Sequence, residues 1–224
     1  MTPVLLAAYA RSPFTFANKG ELALKRPDDL AADVVRGLVE RENFDPSLIE
    51  DLILGCAFPE GEQGFNMARI VGLMAGLPET VAGVTVNRFC GSSMQAIHMA
   101  AGAIQLGAGN AFICAGVESM SRVPMGGFNP MPNPDLFESN DGAYMPMGET
   151  AENLAEKYQI PRKEQENFAL TSQSQAAKAK ASGNFSNEII PIKTQNGVVT
   201  EDGHTAGGTE SRCHTDCWQK GELL

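Results

Sequence analysis

The 224-residue sequence has little positive charge, and this scarcity limits what the protein can bind. It carries 17 lysines and arginines against 27 aspartates and glutamates, which gives a formal net charge of −10 at pH 7. Such a balance disfavours contact with phosphate backbones and anionic lipid headgroups. The composition therefore argues against nucleic acid and against a charged membrane surface as partners.

Long apolar runs are also missing. No stretch approaches the ~18 consecutive apolar residues that a bilayer-spanning helix needs. The N-terminal segment MTPVLLAAYARSPF is apolar only briefly and has no basic region, so it differs from a secretory signal and is predicted to contain a strand. We therefore expect a protein that is neither anchored in a membrane nor secreted.

Cysteines are too few to suggest a disulfide framework. Five cysteines without a secretory signal indicate reduced thiols and a cytoplasmic location. A content of 43% hydrophobic and 20% charged residues is typical of a soluble globular protein. The length allows one large domain, or a domain with a subdomain.

Strand-like and helix-like patterns alternate through the first half of the chain. Predicted strands comprise residues 4–10, 52–56, 84–86 and 111–115, and helices begin near Asp28 or Asp29, Asn66 and Cys90. This order predicts an α/β fold with a mostly parallel sheet flanked by helices. In such sheets, sites form beyond the carboxyl ends of the strands.

Cys90 lies where a predicted strand delivers the chain into a helix that ends near Gly107. The first helical turn has unpaired N–H groups and the positive end of the helix dipole, so a thiol there ionises more easily. The same N–H groups can hold an oxyanion, and Gly91 would let a substrate approach the backbone closely. The alternative is a buried core cysteine, but the strand–turn–helix context favours a nucleophile.

The sequence around Cys90 resembles the nucleophile region of the thiolases. The motifs that carry the resemblance are N-R-F-C-G-S-S-M-Q-A from Asn87, A-G-V-E-S-M-S from Ala115, V-L-L-A-A-Y-A-R-S-P-F from Val4 and M-G-E-T-A-E-N-L-A from Met147. Together they extend the similarity from residue 3 to about residue 200. The resemblance implies acyl transfer between coenzyme A thioesters in fatty-acid metabolism, with Cys90 as the acylated residue.

The resemblance also implies a division of the chain into segments. These are a thiolase-like N-terminal α/β core at residues 1–121, a partial and mainly helical loop domain that binds coenzyme A at 122–202, and an atypical tail at 203–224. Within the loop domain, proline and glycine predict irregular structure at 123–144, and helices are predicted at 150–158 and from Pro161. A further strand is predicted at 189–192.

Met147 matches the loop-domain position that lies beside coenzyme A in the family, so a contact with the pantetheine arm is expected. Pro146 stands where many relatives have histidine. Four methionines, at positions 125, 131, 145 and 147, lie in this region. They can form an adaptable apolar wall for an acyl chain, or can simply pack the loop against the rest of the protein.

The chain matches only about the first half of a thiolase. In the family, the second half supplies an asparagine that holds a water, a Gly-His-Pro histidine that activates the nucleophile, and a second cysteine that acts as acid and base. The sequence has none of these motifs. His98 is eight residues beyond Cys90, roughly 12 Å at the helical rise, and is interpreted as structural.

The tail loses the resemblance from about Gly203. Its sequence is polar and aperiodic, which suggests a change of reading frame and a truncated product. Resequencing the coding DNA tests this hypothesis. Cys213, His214 and Cys217 have the spacing of zinc ligands, with His204 as the required fourth. Because this is a single cluster, we predict no metal, and no redox cofactor is implied.

The reaction implied by the resemblance is ping-pong acyl transfer. Cys90 attacks the keto carbonyl of a 3-ketoacyl-CoA, acetyl-CoA leaves, and the acyl group passes to free coenzyme A; the reverse direction condenses two acetyl-CoA units. The Cys90 N–H would provide one oxyanion contact. The family also implies a homo-oligomer, a dimer or tetramer.

Two alternatives remain at this stage. The chain can be a catalytically inactive half-thiolase, because the histidine and the second cysteine are missing from the sequence. It can also be a condensing enzyme of the ketosynthase type, although the Met-Gly-Glu-Thr-Ala-Glu segment from Met147 favours a thiolase.

Overall fold

The structure, a computed structural model, describes residues 3–140 and 142–203. Its contacts form two units, the first containing residues 3–129 and 186–203, and the second containing residues 130–140 and 142–185. The predicted domain boundaries at 121 and 202 stay predictions. The reading-frame hypothesis and the zinc-spaced cluster of Cys213, His214 and Cys217 concern residues outside the described ones.

A parallel sheet organises the first unit and confirms the predicted fold class. Its strands are β1 (Asp51–Gly55), β2 (Ala82–Val86) and β3 (Phe112–Gly116), in the spatial order β2-β1-β3. In the register, Ile53 lies opposite Val84 on one side and Cys114 on the other. All three carboxyl ends therefore lie at one edge of the sheet, as the alternating sequence pattern predicted.

The two faces of the sheet are covered by different helices. Leu52 and Leu54 of β1 belong to a buried cluster with residues of α1 (Pro27–Arg41) and α2 (Met67–Ala75). Ile53, which points to the opposite face because strand side chains alternate, packs with Ala96 and Ala100 of α3 (Ser92–Gln105). The central strand is thus buried on both faces, which explains its almost continuous apolar sequence.

Helix α1 begins one residue before the predicted caps. Arg26 occupies the N-cap position and Pro27 the first helical position, so the prediction that Asp28 or Asp29 caps this helix is wrong. Proline suits this position because its ring fixes φ and it has no N–H to leave unpaired. Asp28 instead lies in the first turn, where its carboxylate accepts a hydrogen bond from the Asp29 N–H at 2.9 Å.

The predicted strand at residues 4–10 is wrong. Leu5 and Leu6 are 80% and 81% exposed, and no strand lies within this segment. Only the next residue, Arg11, forms an isolated parallel bridge, with Ile189. An apolar sequence can indicate a strand, but a strand forms only where a neighbouring backbone offers hydrogen bonds. No backbone group among the described residues bonds to this segment, and the Tyr9 carbonyl instead accepts from the Arg41 side chain.

A short hairpin ends the described part of the first unit. It pairs β4 (Ile192–Thr194) with β5 (Gly197–Val199) in antiparallel fashion. The predicted strand at 189–192 therefore overlaps β4 only at Ile192. The two arms of the hairpin turn at Thr194 and Gly197, whose φ of +135° suits glycine.

The second unit is helical, as predicted for the loop domain. It contains α4 (Pro134–Ser139), α5 (Met147–Lys157) and α6 (Arg162–Ala181). Helix α4 lies in the segment predicted to be irregular. It forms there because the Asn133 side chain caps it by accepting a hydrogen bond from the Leu136 N–H at 3.0 Å. No helix among the described residues is long and apolar enough to cross a bilayer.

Candidate active site

Cys90 lies in a tight turn between β2 and α3. Residues Phe89–Gly91 form one 3-10 turn, and α3 begins at Ser92 with Gly91 as its N-cap. The helix therefore begins two residues later than predicted, and Cys90 precedes it. The Cys90 side chain is exposed, whereas that of Cys56 is buried, so the alternative of a buried core cysteine at position 90 is wrong.

The turn before Cys90 is strained. Phe89 has a φ of +44°, in the left-handed region that bulky residues rarely adopt. Such a conformation costs about 1–3 kcal/mol and persists only where neighbouring contacts hold it. The Phe89 ring is 64% exposed and lies 5.9 Å from the Phe58 ring, centroid to centroid, so burial of the ring alone does not account for it.

Hydrogen bonds from two side chains hold this turn. The Asn87 Oδ1 accepts from the Phe89 N–H at 2.9 Å, and the Asn87 Nδ2 donates to the Ala57 carbonyl at 2.8 Å. The Ser92 Oγ accepts from the Arg88 N–H at 2.8 Å and donates to the Phe89 carbonyl at 2.6 Å. At about 0.5–1.5 kcal/mol each, these bonds are comparable in size to the strain.

One backbone donor of the turn is left over. The N–H groups of Arg88 and Phe89 donate to side chains, and the Gly91 N–H donates to the Arg88 carbonyl at 3.0 Å. The N–H of Cys90 donates to no acceptor among the described residues. The thiol and a free N–H donor therefore belong to the same exposed residue.

The structure shows no need for glycine at position 91, where close approach of a substrate to the backbone was expected. Its N–H is already used, its φ of −90° is open to any residue, and an added Cβ would lie 3.6 Å from the Arg88 Cγ, an ordinary contact. The expected close approach of a substrate at Gly91 stays a prediction, and the free N–H of Cys90 is the better-placed donor.

The loops that follow β1 and β3 are joined by a polar network. The fully buried Gln63 donates through Nε2 to the Glu118 Oε1 at 2.7 Å and to the Phe58 carbonyl at 2.8 Å. Its Oε1 accepts from the Ser119 N–H at 2.7 Å. The other Glu118 oxygen accepts from the Ala57 N–H at 2.7 Å. Ala57 is thus fixed through its N–H by Glu118 and through its carbonyl by Asn87.

The residues of this network were not identified as site residues from the sequence. Asn87 and Glu118 belong to two of the four motifs that carry the resemblance, and this membership was the available signal. Gln63 gave no signal, because only the fold shows that a glutamine in a polar, glycine-rich loop is completely buried.

Glycines let α3 lie directly against the ends of β1 and β3. A Cβ at Gly55 would lie 2.5 Å from the carbonyl carbon of Ser92 and 2.6 Å from the backbone nitrogen of Ser93. A Cβ at Gly116 would collide with the Ser93 Oγ. These strand ends therefore fix how closely the helix after Cys90 approaches the sheet.

Cys56 directly follows β1 and has surroundings opposite to those of Cys90. It is 1% exposed. Burial, together with the nearby charge of Glu118, raises the pKa of its thiol from the ordinary 9.0 to about 11. Burial also raises the pKa of Cys114. Neither thiol suits a nucleophilic role at neutral pH.

The remaining candidates are more distant in sequence. His98 is an exposed residue of α3 and the one histidine among those that the structure describes. Met147 begins α5 in the second unit and is 71% exposed; its predicted pantetheine contact stays a prediction. Over the described ranges, no group of three or more histidine, cysteine, aspartate or glutamate side chains could hold a metal ion.

Known proteins share much of their sequence with this chain. Residues 4–211 match the family model described as thiolase, N-terminal domain. The 3-ketoacyl-CoA thiolase of Bacillus subtilis is 48% identical over 203 residues, which are 91% of this chain and 51% of that protein. The 3-ketoacyl-CoA thiolase of Psychrobacter arcticus is 42% identical over 213 residues, 95% of this chain and 52% of that protein.

A solved structure shows the same fold. The crystal structure of the Bacillus anthracis acetyl-CoA acetyltransferase superposes with a TM-score of 0.76 at 36% identity, covering 91% of this chain and 55% of that one. The chain thus spans about half the length of the curated relatives it matches.

Proposed function

This chain belongs to the thiolase family, and from that premise we propose that it provides the acylated thiol, Cys90, for acyl transfer between coenzyme A thioesters. The observation that carries the proposal is the exposed thiol in a rigidly bonded turn at the carboxyl edge of the sheet, with a free N–H on the same residue. Cys56 and Cys114 are disfavoured by burial, which raises their pKa.

In the proposed reaction, the Cys90 thiolate attacks the keto carbonyl carbon of a 3-ketoacyl-CoA. Negative charge develops on the carbonyl oxygen, and the free Cys90 N–H is the donor that this chain offers to it. The carbon–carbon bond next to that carbonyl then breaks. Its electron pair stays on the departing acetyl-CoA carbon, which takes up a proton, and the acyl group remains on Cys90 as a thioester.

The second half-reaction returns the enzyme to its starting state. Free coenzyme A loses its thiol proton and attacks the Cys90 thioester, the new acyl-CoA leaves, and the Cys90 thiolate is released. Run in reverse, the two steps condense two acetyl-CoA units. The substrates we propose are coenzyme A thioesters, with no metal or redox cofactor, and the setting is a cytoplasmic homo-oligomer.

A second candidate is a chain that accepts an acyl group but does not turn over. It is favoured by the absence from the sequence of the family's Gly-His-Pro and second cysteine motifs. His98, the one histidine in the described part of the chain, is exposed on α3 and takes no place in the turn of Cys90. In this candidate, the thioester on Cys90 accumulates.

The test exposes the full chain to acetyl-CoA and measures its intact mass, followed by peptide mapping. We expect a gain of one acetyl group on Cys90, and none in the Cys90→Ala variant. Thiolysis of acetoacetyl-CoA by the same preparation separates the candidates, because acylation with turnover supports the first and acylation without turnover supports the second. A chain that gains no acetyl group, or gains it on another residue, contradicts both.

A further inference from the structure

We propose that Asn87 is a positioning residue that holds the Cys90 turn in the geometry needed for acyl transfer. Its side chain joins the turn to the loop after the central strand, because Oδ1 accepts from the Phe89 N–H at 2.9 Å and Nδ2 donates to the Ala57 carbonyl at 2.8 Å. The inference rests on the proposed function and deepens it by naming a residue that acts through Cys90.

The first reason is the backbone that Asn87 contacts. Phe89, the residue directly before the thiol, has a φ of +44°. A residue in this region returns to ordinary φ values unless its peptide groups are held. Asn87 holds the N–H of Phe89, and Ser92 holds its carbonyl at 2.6 Å. Without Asn87, the Phe89 N–H loses its acceptor, and the peptide before Phe89 is held only through the Arg88 carbonyl, which accepts from the Gly91 N–H at 3.0 Å.

The second reason is the anchor at the other end of the side chain. The Ala57 peptide is fixed because its N–H donates to the Glu118 Oε2 at 2.7 Å, and Glu118 accepts in turn from the buried Gln63 at 2.7 Å. Asn87 therefore ties the Cys90 turn to a rigid network rather than to a free loop. Loops after all three neighbouring strands take part in it.

The third reason is the donor that remains. Asn87 and Ser92 occupy the N–H groups of Phe89 and Arg88, which leaves the Cys90 N–H free beside the thiol. If the turn relaxes, the direction of this N–H changes with it. Displacement of a reacting group by about 1 Å can slow a reaction on the order of 100-fold.

The chain contains a matched control, Asn66. It is an exposed asparagine that also makes one donor and one acceptor bond, since Nδ2 donates to the Gly83 carbonyl at 2.7 Å and Oδ1 accepts from the Thr85 hydroxyl at 3.0 Å. Its bonds connect the start of α2 to β2 and do not involve the Cys90 turn. Asn66→Ala and Asn87→Ala therefore remove equal numbers of bonds at different places.

The experiment compares the parent chain, Asn87→Ala and Asn66→Ala for the rate of Cys90 acylation over a range of acetyl-CoA concentrations. We expect Asn87→Ala to lower the maximal acylation rate about 10- to 100-fold, with the half-saturating concentration nearly unchanged. Asn66→Ala should acylate like the parent. Alkylation of Cys90 by iodoacetamide, which needs only an accessible thiolate, should change less than about 3-fold in either variant.

Amide hydrogen exchange of the peptide containing residues 87–92 provides a second readout that does not need acylation. Faster exchange in Asn87→Ala, but not in Asn66→Ala, supports the proposal. Equal acylation rates in the two variants, or unchanged exchange in this peptide, would overturn it. If the parent chain is not acylated at all, the proposed function fails, while the exchange measurement still decides whether Asn87 holds the turn.

Discussion

At the scale of single residues, two cysteines that follow neighbouring strands have opposite properties. Cys90 is exposed in a turn, whereas Cys56 is buried beside Glu118 and Gln63, whose Nε2 lies 3.5 Å from the Cys56 Sγ. Both are cysteines that follow a strand, Cys56 immediately after β1 and Cys90 four residues after the end of β2. The difference comes from whether the loop after the strand folds over the thiol.

This contrast predicts how Cys56 affects stability at high pH. Because the folded pKa is about 11 and the ordinary value is 9.0, the unfolded chain loses the proton first as pH rises. The stabilisation is fully present below pH 9 and disappears as pH rises towards 11. Between these pH values, we expect the free energy of unfolding to fall less in Cys56→Ala than in the parent chain, by about 3 kcal/mol at most.

The measurement is the free energy of unfolding in urea at several pH values between about 8 and 11, a range that includes both pKa values. Gly102→Ala is the control, because it removes no titratable group and its added Cβ meets no atom within 4 Å. Identical pH dependence in the parent and Cys56→Ala would contradict the prediction.

The candidate nucleophile could be proposed from the sequence, but the residues that hold its turn could not. Cys90 lies within a long local motif, so adjacent letters identify it. Asn87, Gln63 and Glu118 act through contacts with Ala57 and Phe58, and these partners are brought together only by strand pairing. The sequence of a single chain does not show which loops come into contact in the folded protein.

At the scale of elements, the contact of α3 with the sheet depends on the small size of a strand residue. We expect Gly55→Ala to destabilise the protein by about 1–3 kcal/mol, because the added Cβ would meet backbone atoms of Ser92 and Ser93 at 2.5 and 2.6 Å. Backbone atoms cannot turn aside as a side chain can. The helix must shift, and Cys90 with it.

Gly102 provides the control within the same helix. An added Cβ there meets no atom within 4 Å, so Gly102→Ala should be neutral or stabilising by about 0.5–1 kcal/mol through helix propensity. Urea unfolding of the two variants measures both effects. A Gly55→Ala variant as stable as the parent would show that α3 can move away from the sheet at no cost.

Elements were predictable where periodicity and glycine agreed. The strand predicted at 84–86 lies within β2, the one at 111–115 matches β3 to within one residue, and Gly76 ends α2 with a φ of +82°. The segment at 4–10 failed because an apolar composition does not say whether a neighbouring strand is present. Helix α4 was not predicted, because the prolines of this segment indicated irregular structure and outweighed the N-cap at Asn133.

At the scale of the whole molecule, the described surface retains many large apolar side chains. Leu5 and Leu6 are 80% and 81% exposed, and α3 presents Met94 at 59%. Exposed apolar groups on this scale are typical of interaction surfaces or of association. We therefore expect the purified chain to self-associate despite its net charge of −10.

Light scattering across a concentration series checks this expectation. Met94→Lys should shift the population towards smaller species, because a charge on α3 opposes burial of that surface. Met131→Lys, at a residue 79% exposed in the second unit, tests whether added charge alone has the same effect. A monodisperse monomer of the parent chain would contradict the prediction.

The bond from Asn87 to Ala57 links reactivity to the order of assembly. Ala57 lies just beyond β1, which pairs with both neighbouring strands, so we expect its carbonyl to meet Asn87 only once that pairing has formed. A newly made polypeptide would then hold Cys90 in a relaxed, unselective turn until the sheet is complete. Competence for acylation could then serve as a probe of how far folding has advanced.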